Sequence, residues 1–163
     1  MNLPQTALEV SGLPLHPLVV HAVVILVPLT ALALVLGALW PAARTRLGLV
    51  TPIAALVVLV LVPVTVLAGE SLKETVGPLP AVERHEGFGR MLMPWAIALF
   101  VVAAGQWVWH RRLRARFAES ARTAARAIDI ALIVLAVVAA VGSVVVVVLA
   151  GESGSRAVWG SLG

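Results

Sequence analysis

Four long apolar stretches, interrupted by short polar segments, set the pattern of this chain. The first, LPLHPLVVHAVVILVPLTALALVLGALW, covers residues 13–40 and carries no charged residue before Arg44. About 20 residues at 1.5 Å rise cross a hydrocarbon core of about 30 Å, so a run of this length predicts a transmembrane helix. The same pattern recurs three times, and it predicts spans at about 17–39, 47–68, 88–109 and 127–150. The fold class that follows is all-α: an integral membrane four-helix bundle with up-down connections, in a single domain covering residues 1–163.

Punctuation inside the runs refines this. Pro17 suits the first helical position, where a missing N–H removes no bond, and His16 then stands at the N-cap. Pro28, Pro63 and Pro94 lie within spans, and kinks at Pro63 and Pro94 are expected to splay one end of the bundle. In the fourth span, Ala136, Ala139, Ala140 and Ser143 give small-xxx-small spacings and are expected to face other helices. The hexapeptide VLAGES occurs at residues 66–71 and again at 148–153, each time at the expected exit of an even-numbered span. This echo suggests an internal two-helix repeat, related by an axis along the membrane normal.

Composition agrees with lipid-facing helices. Of 163 residues, 61% are hydrophobic, above the roughly 45–50% apolar content of soluble domains, and the mean hydropathy is +1.04. The chain has no cysteine, which excludes disulfides, thiolate metal sites and iron–sulfur clusters held by this chain alone. The first fifteen residues contain Glu9 and no Lys or Arg, so no cleaved signal peptide is expected.

The formal charge is +4. Anionic lipid explains this basicity without a nucleic-acid partner. Eight arginines lie in the first and third connections: Arg44, Arg46, Arg111, Arg112, Arg114, Arg116, Arg122 and Arg126. The other side holds Lys73, Arg84, Arg90 and Arg156. The positive-inside rule then predicts a multi-pass cell-membrane protein with both termini extracytoplasmic. It also predicts that residues 111–126 contact anionic lipids.

On that topology His16, His21, His85, Glu70 and Glu152 share the outer side. Imidazole and carboxylate suit zinc, copper or iron, so the five form a candidate metal set. His16, His21 and His85 are equally candidates for holding haem b, since bundle cores host cofactors and haem iron takes axial histidines. His21 lies a full turn inside the span, where an ionisable group needs a partner. It is therefore expected to face the interior near His85, Glu70 or Glu152. His16 and His21 are about 140° apart around a helix and do not share a face. His16 as a simple N-cap, and Gly69 and Gly151 as C-cap glycines before solvated acids, stand beside this site. Asp129 is expected to be structural, paired with Arg126, and His110 to contact headgroups on the opposite side. No phosphate loop, nucleophile elbow or HExxH sequence is present, so nothing in the chain points to a hydrolase or kinase, and the sequence leaves open whether it is an enzyme.

The start GLPLHPLVVH, the glycine-acid pair at Gly69 and Glu70, and a histidine before the third span resemble an uncharacterised bacterial family of four-helix membrane domains. The resemblance covers about residues 12–150. Domains related to that family occur fused to Rieske-type iron–sulfur domains, which implies a redox protein partner. Ala22-Val23 and Glu70-Ser71 stand where members often carry a proline and an Asp-Trp pair. The leading function is a membrane anchor or accessory subunit with a histidine-lined outer site, holding haem or a metal in electron transfer. The alternatives are a cofactor-free structural or assembly protein and a small transporter.

Overall fold

Helix α1 (Leu15–Leu39) begins just after a short antiparallel pairing of β1 (Glu9–Val10) with β2 (Leu13–Pro14). The computed structural model describes residues 9–10, 13–77 and 79–159. Gly12 at the start of the resemblance, Pro78 in the second connection and the terminal Gly163 lie outside the described residues. A short helix α2 (Pro41–Leu47) follows α1, then α3 (Val50–Val76) and α4 (Pro80–Val108). A five-residue π-helical turn, Trp109–Leu113, leads into a second short helix, α5 (Arg114–Ser120). The last helix is α6 (Arg122–Trp159).

The four long helices are long and apolar enough to cross a membrane, and the fold is the all-α membrane bundle that the hydropathy predicts. Each long helix packs on the next in the chain, and α6 closes the ring on α1. The pairs α1–α4 and α3–α6 lie on the diagonals. The core on the axis is built from residues such as Val27, Leu34, Val58, Val62, Leu99 and Val146. Leu29, Leu32, Val60, Val101, Ile130 and Val141 point outward and are exposed. In water such surfaces would be costly, and they mark the faces that meet lipid.

Ala136, Ala139, Ala140 and Ser143 are all buried, as their spacing predicts. Ser143 donates its hydroxyl to the Ala139 carbonyl inside its own helix. The ring of Trp95 on α4 lies over Gly142 of α6, so close that a Cβ built there would stand 2.1–2.3 Å from ring carbons.

The helices overrun the expected spans. α3 continues past Gly69 to Val76 and is capped by Gly77, whose φ of 87° favours glycine. α6 continues past Gly151 to Trp159. The expected C-cap roles of Gly69 and Gly151 are therefore corrected, because both residues lie within helices. Both halves run long helix, seven-residue helix, long helix, the second with the π-helical turn added after its first long helix.

Candidate functional site

His16 and His85 meet across the bundle axis. One lies on the first turn of α1 and the other on the second turn of α4, its diagonal partner. Their ring centroids are 5.8 Å apart with the planes at 85°, an edge-to-face pair. Each ring is also docked on the neighbouring helix. The His16 Nδ1–H donates to the Thr65 carbonyl of α3 at 3.0 Å. The His85 Nδ1–H donates to the Ala150 carbonyl of α6 at 2.9 Å, with Ser153 Oγ at 3.3 Å from the same nitrogen. A carbonyl only accepts, so these contacts place a proton on each Nδ1, the tautomer in which a neutral imidazole carries its lone pair on Nε2.

The docking depends on two glycines. In an α-helix the carbonyl of residue i points toward residue i+4, whose Cβ flanks any approach from outside. Residue i+4 is Gly69 for Thr65 and Gly154 for Ala150. A Cβ at Gly69 would stand 2.9 Å from His16 Cε1, and one at Gly154 3.0 Å from His85 Cε1. The two halves thus use the same device, a histidine at the start of one helix against a carbonyl–glycine notch near the end of the next. The notches are not in the register of the VLAGES copies. Gly69 belongs to the first copy, whereas Gly154 follows the second and Gly151 has no close neighbour.

The pair borders a cavity of about 730 Å³ walled mainly by valine and leucine, Val20, Val24, Val62, Val66, Leu72 and Leu92 among them. This lies within the roughly 300–1,000 Å³ of ligand and cofactor sites. Lys73 and Glu86 stand at its charged side. Glu86 receives Lys73 at 2.7 Å and Arg90 at 2.6 Å, and Arg90 also binds Glu70 at 2.9 Å. The Lys73–Glu86 and Arg90–Glu70 pairs tie α3 to α4, the Glu86–Arg90 pair lies within α4, and each of these partly exposed pairs contributes little singly.

The five-residue metal set does not assemble. Among the described residues no group of three or more His, Cys, Asp or Glu is placed to hold a metal ion. Glu70 is taken by Arg90, and Glu152 pairs with Arg156 one turn further along α6. His21 lines the cavity but is exposed, and its Nδ1 bonds the Pro17 carbonyl of its own helix. The interior position expected for His21 belongs to His16. With α1 beginning at Leu15, the azimuth that turns His16 to the axis turns His21 away, as their angular separation requires.

The opposite end of the bundle is held by a second polar cluster. The Arg44 side chain turns back to cap α1, donating to the carbonyls of Gly37 at 2.7 Å and Ala38 at 2.8 Å. Burial lowers the pKa of this guanidinium from its ordinary value, and the charge of Asp129 opposes the shift. His110 accepts from Arg44 through Nδ1 at 3.2 Å, so it is a partner of the helix cap rather than a free headgroup contact. Asp129 receives the Trp109 indole N–H at 2.8 Å and Arg114 at 2.9 Å. The expected partner, Arg126, is replaced by Arg114 at the start of α5, which packs alongside α6.

Sequence reasoning overlooked Gly154, Thr65 and Ala150, which position the imidazoles. Their signal is faint: a glycine in a long apolar helix, four residues after a carbonyl that a neighbour can reach. The model of a family described as predicted membrane protein (DUF2231) matches residues 12–161. No curated protein and no solved structure matches the chain.

Proposed function

The chain belongs to that family of predicted membrane proteins, and from this premise we propose a membrane accessory subunit that carries haem b between His16 and His85 and serves electron transfer. The observation that carries this reading is the diagonal imidazole pair, with each Nδ1 committed to a backbone carbonyl. That is how ligand histidines are oriented and made more basic. The donor set favours haem over a bare ion. A structural zinc site needs four protein ligands, whereas the macrocycle brings four nitrogens and asks the protein for two. Bound haem supplies one-electron chemistry. His16 and His85 would hold its iron, and the valine and leucine walls would exclude water from it.

The test is an absorption spectrum of detergent-purified protein expressed with ample haem. A Soret band is expected, with stoichiometric haem. His16→Ala and His85→Ala are each expected to remove it, and His110→Ala to leave it intact. A colourless wild type, or a band that survives both substitutions, would exclude the haem reading.

We further propose that the histidine end faces the outside, toward a redox protein partner, and that the arginine-rich end faces the cytoplasm and its anionic lipids. The basic asymmetry between the two ends supports this orientation. The exposed Arg112 and Arg116 beside the exposed Phe117 suit an interfacial helix. A phosphatase reporter fused after Gly163 is expected to be active, since it works only outside the cytoplasm. An inactive phosphatase fusion, paired with an active cytoplasmic reporter at the same site, would reverse the orientation.

A further inference from the structure

The end of the bundle away from the histidines holds a second cavity, of about 410 Å³, between α1, α2, α3 and α4. Its walls include Arg44, Thr51, Gln106, His110 and Arg111. No carboxylate is among the lining residues. The nearest acid in the cluster, Asp129, already receives Trp109 and Arg114. Arg44, which also donates to Gly37, Ala38 and His110, and Arg111 therefore line a space whose walls carry no carboxylate.

Gln106 adds a second, independent sign. It is only 6% exposed, and its Nε2 is buried with no hydrogen-bond partner among the described residues. Nearly all buried polar groups are paired, and an unpaired one calls for a partner such as an ion. The glutamine sits on α4 one turn before His110 of the π-helical turn, and Gly37 on α1 stands opposite, where a Cβ would lie 3.6 Å from Oε1. Leu47, Leu49 and Trp107 also line the cavity, and Leu49 is half exposed. Cationic side chains beside these apolar ones match an anionic headgroup whose chains lie along the bundle.

We propose that this cavity binds a phosphate-class anion, with the Gln106 amide as hydrogen-bond donor and Arg44 and Arg111 as counter-charges. A phospholipid headgroup and free phosphate share this chemistry.

Thermal melting of the detergent-purified protein tests the site, with phosphatidylglycerol, phosphatidylcholine or inorganic phosphate added. A ligand that binds only the folded state raises Tm with its concentration. Phosphatidylglycerol is expected to raise Tm more than phosphatidylcholine. Stabilisation by inorganic phosphate as well would assign the site to the free anion chemistry, and stabilisation by the lipid alone to a headgroup with its chains. Arg44 caps α1, so its loss would confound folding with binding. The informative variants are Gln106→Met and Arg111→Gln. A hydrogen bond to a charged group is worth about 1.5–3 kcal/mol, so Gln106→Met should weaken the anion effect roughly ten- to hundred-fold. Its unliganded Tm should equal or exceed that of the wild type, because the variant removes an unpaired buried donor. Arg84→Gln, an exposed residue at the histidine end of the bundle, should leave the effect unchanged. Equal stabilisation by both lipids, none by any probe, or retention of the full effect in both Gln106→Met and Arg111→Gln would overturn the proposal.

Discussion

Gly142→Ala is expected to lower the stability of the bundle by about 1–3 kcal/mol, the usual effect of forcing extra volume into a packed interior. The direction is informative because glycine inside a helix is ordinarily a weak point. Alanine there gains about 1 kcal/mol of helix propensity. At Gly142 that gain is outweighed, since the new Cβ would stand 2.1 Å from a ring carbon of Trp95. An indole has no flexible end to swing aside, so either the ring or the α4–α6 contact must move. Gly142→Val should be more damaging than alanine. Gly105→Ala and Gly151→Ala provide the contrast, because a Cβ at either site meets nothing within 4 Å. They should melt at or above the wild-type temperature. Trp95→Leu should recover part of the loss in Gly142→Ala. A Gly142→Ala protein that melts with the wild type would mean that Trp95 does not lie on α6.

The second large effect is expected at the notches that dock the imidazoles. Gly69→Ala should eject His16 from the Thr65 carbonyl, and Gly154→Ala should eject His85 from the Ala150 carbonyl. At Gly69 the added Cβ would stand 2.9 Å from Cε1 and 3.0 Å from Nδ1 of His16. Histidine-selective nitrogen NMR in detergent should show a slowly exchanging Nδ1–H for each ring in the wild type and its loss in the matching variant. Loss of a group that orients a ligand histidine typically costs 10–100-fold in affinity. Haem retention, on the reading proposed above, should fall by roughly that factor in each variant. Gly89→Ala is the control, because its Cβ would make an ordinary 4.0 Å contact with Val66. Unchanged Nδ1–H signals in both notch variants would refute the docking.

The architecture was legible in the sequence because lipid imposes it. Uninterrupted apolar runs have few folded forms available in a bilayer, and a helix satisfies its own backbone. Small residues at 136, 139, 140 and 143 marked a packed face for the same elementary reason. The helix ends were less legible. Glu70, Lys73 and Glu74 read as a polar exit, yet they are good helix formers, and Lys73 and Glu70 find partners on α4. The helix therefore continues beyond the apolar run.

The site was half legible. Hydropathy and charge brought His16, His21 and His85 to one end, and an ionisable group deep in a span rightly drew attention to α1. Depth along a helix, however, carries no information on azimuth. Choosing His21 over His16 required knowing which face of α1 turns to the axis. Pairing His16 with His85 required knowing that α1 and α4 are diagonal, a fact set by contacts among all four helices. Gln106 was overlooked although it is a lone amide in an apolar span. Its meaning lies in the missing partner, which only the fold reveals.

The diagonal placement of the imidazoles has a consequence for assembly. One hairpin, α1 to α3, owns His16 and its notch. The other, α4 to α6, owns His85 and its notch. Neither hairpin holds a complete site, so anything gripped by both rings acts as a clasp between the two halves. By linkage, the free energy of gripping such a ligand with both rings is added to the association of the hairpins, since an undocked hairpin offers one ring alone. Occupancy of the axis thus reports that the two halves have found each other, as it would at the interface of a two-fold symmetric dimer.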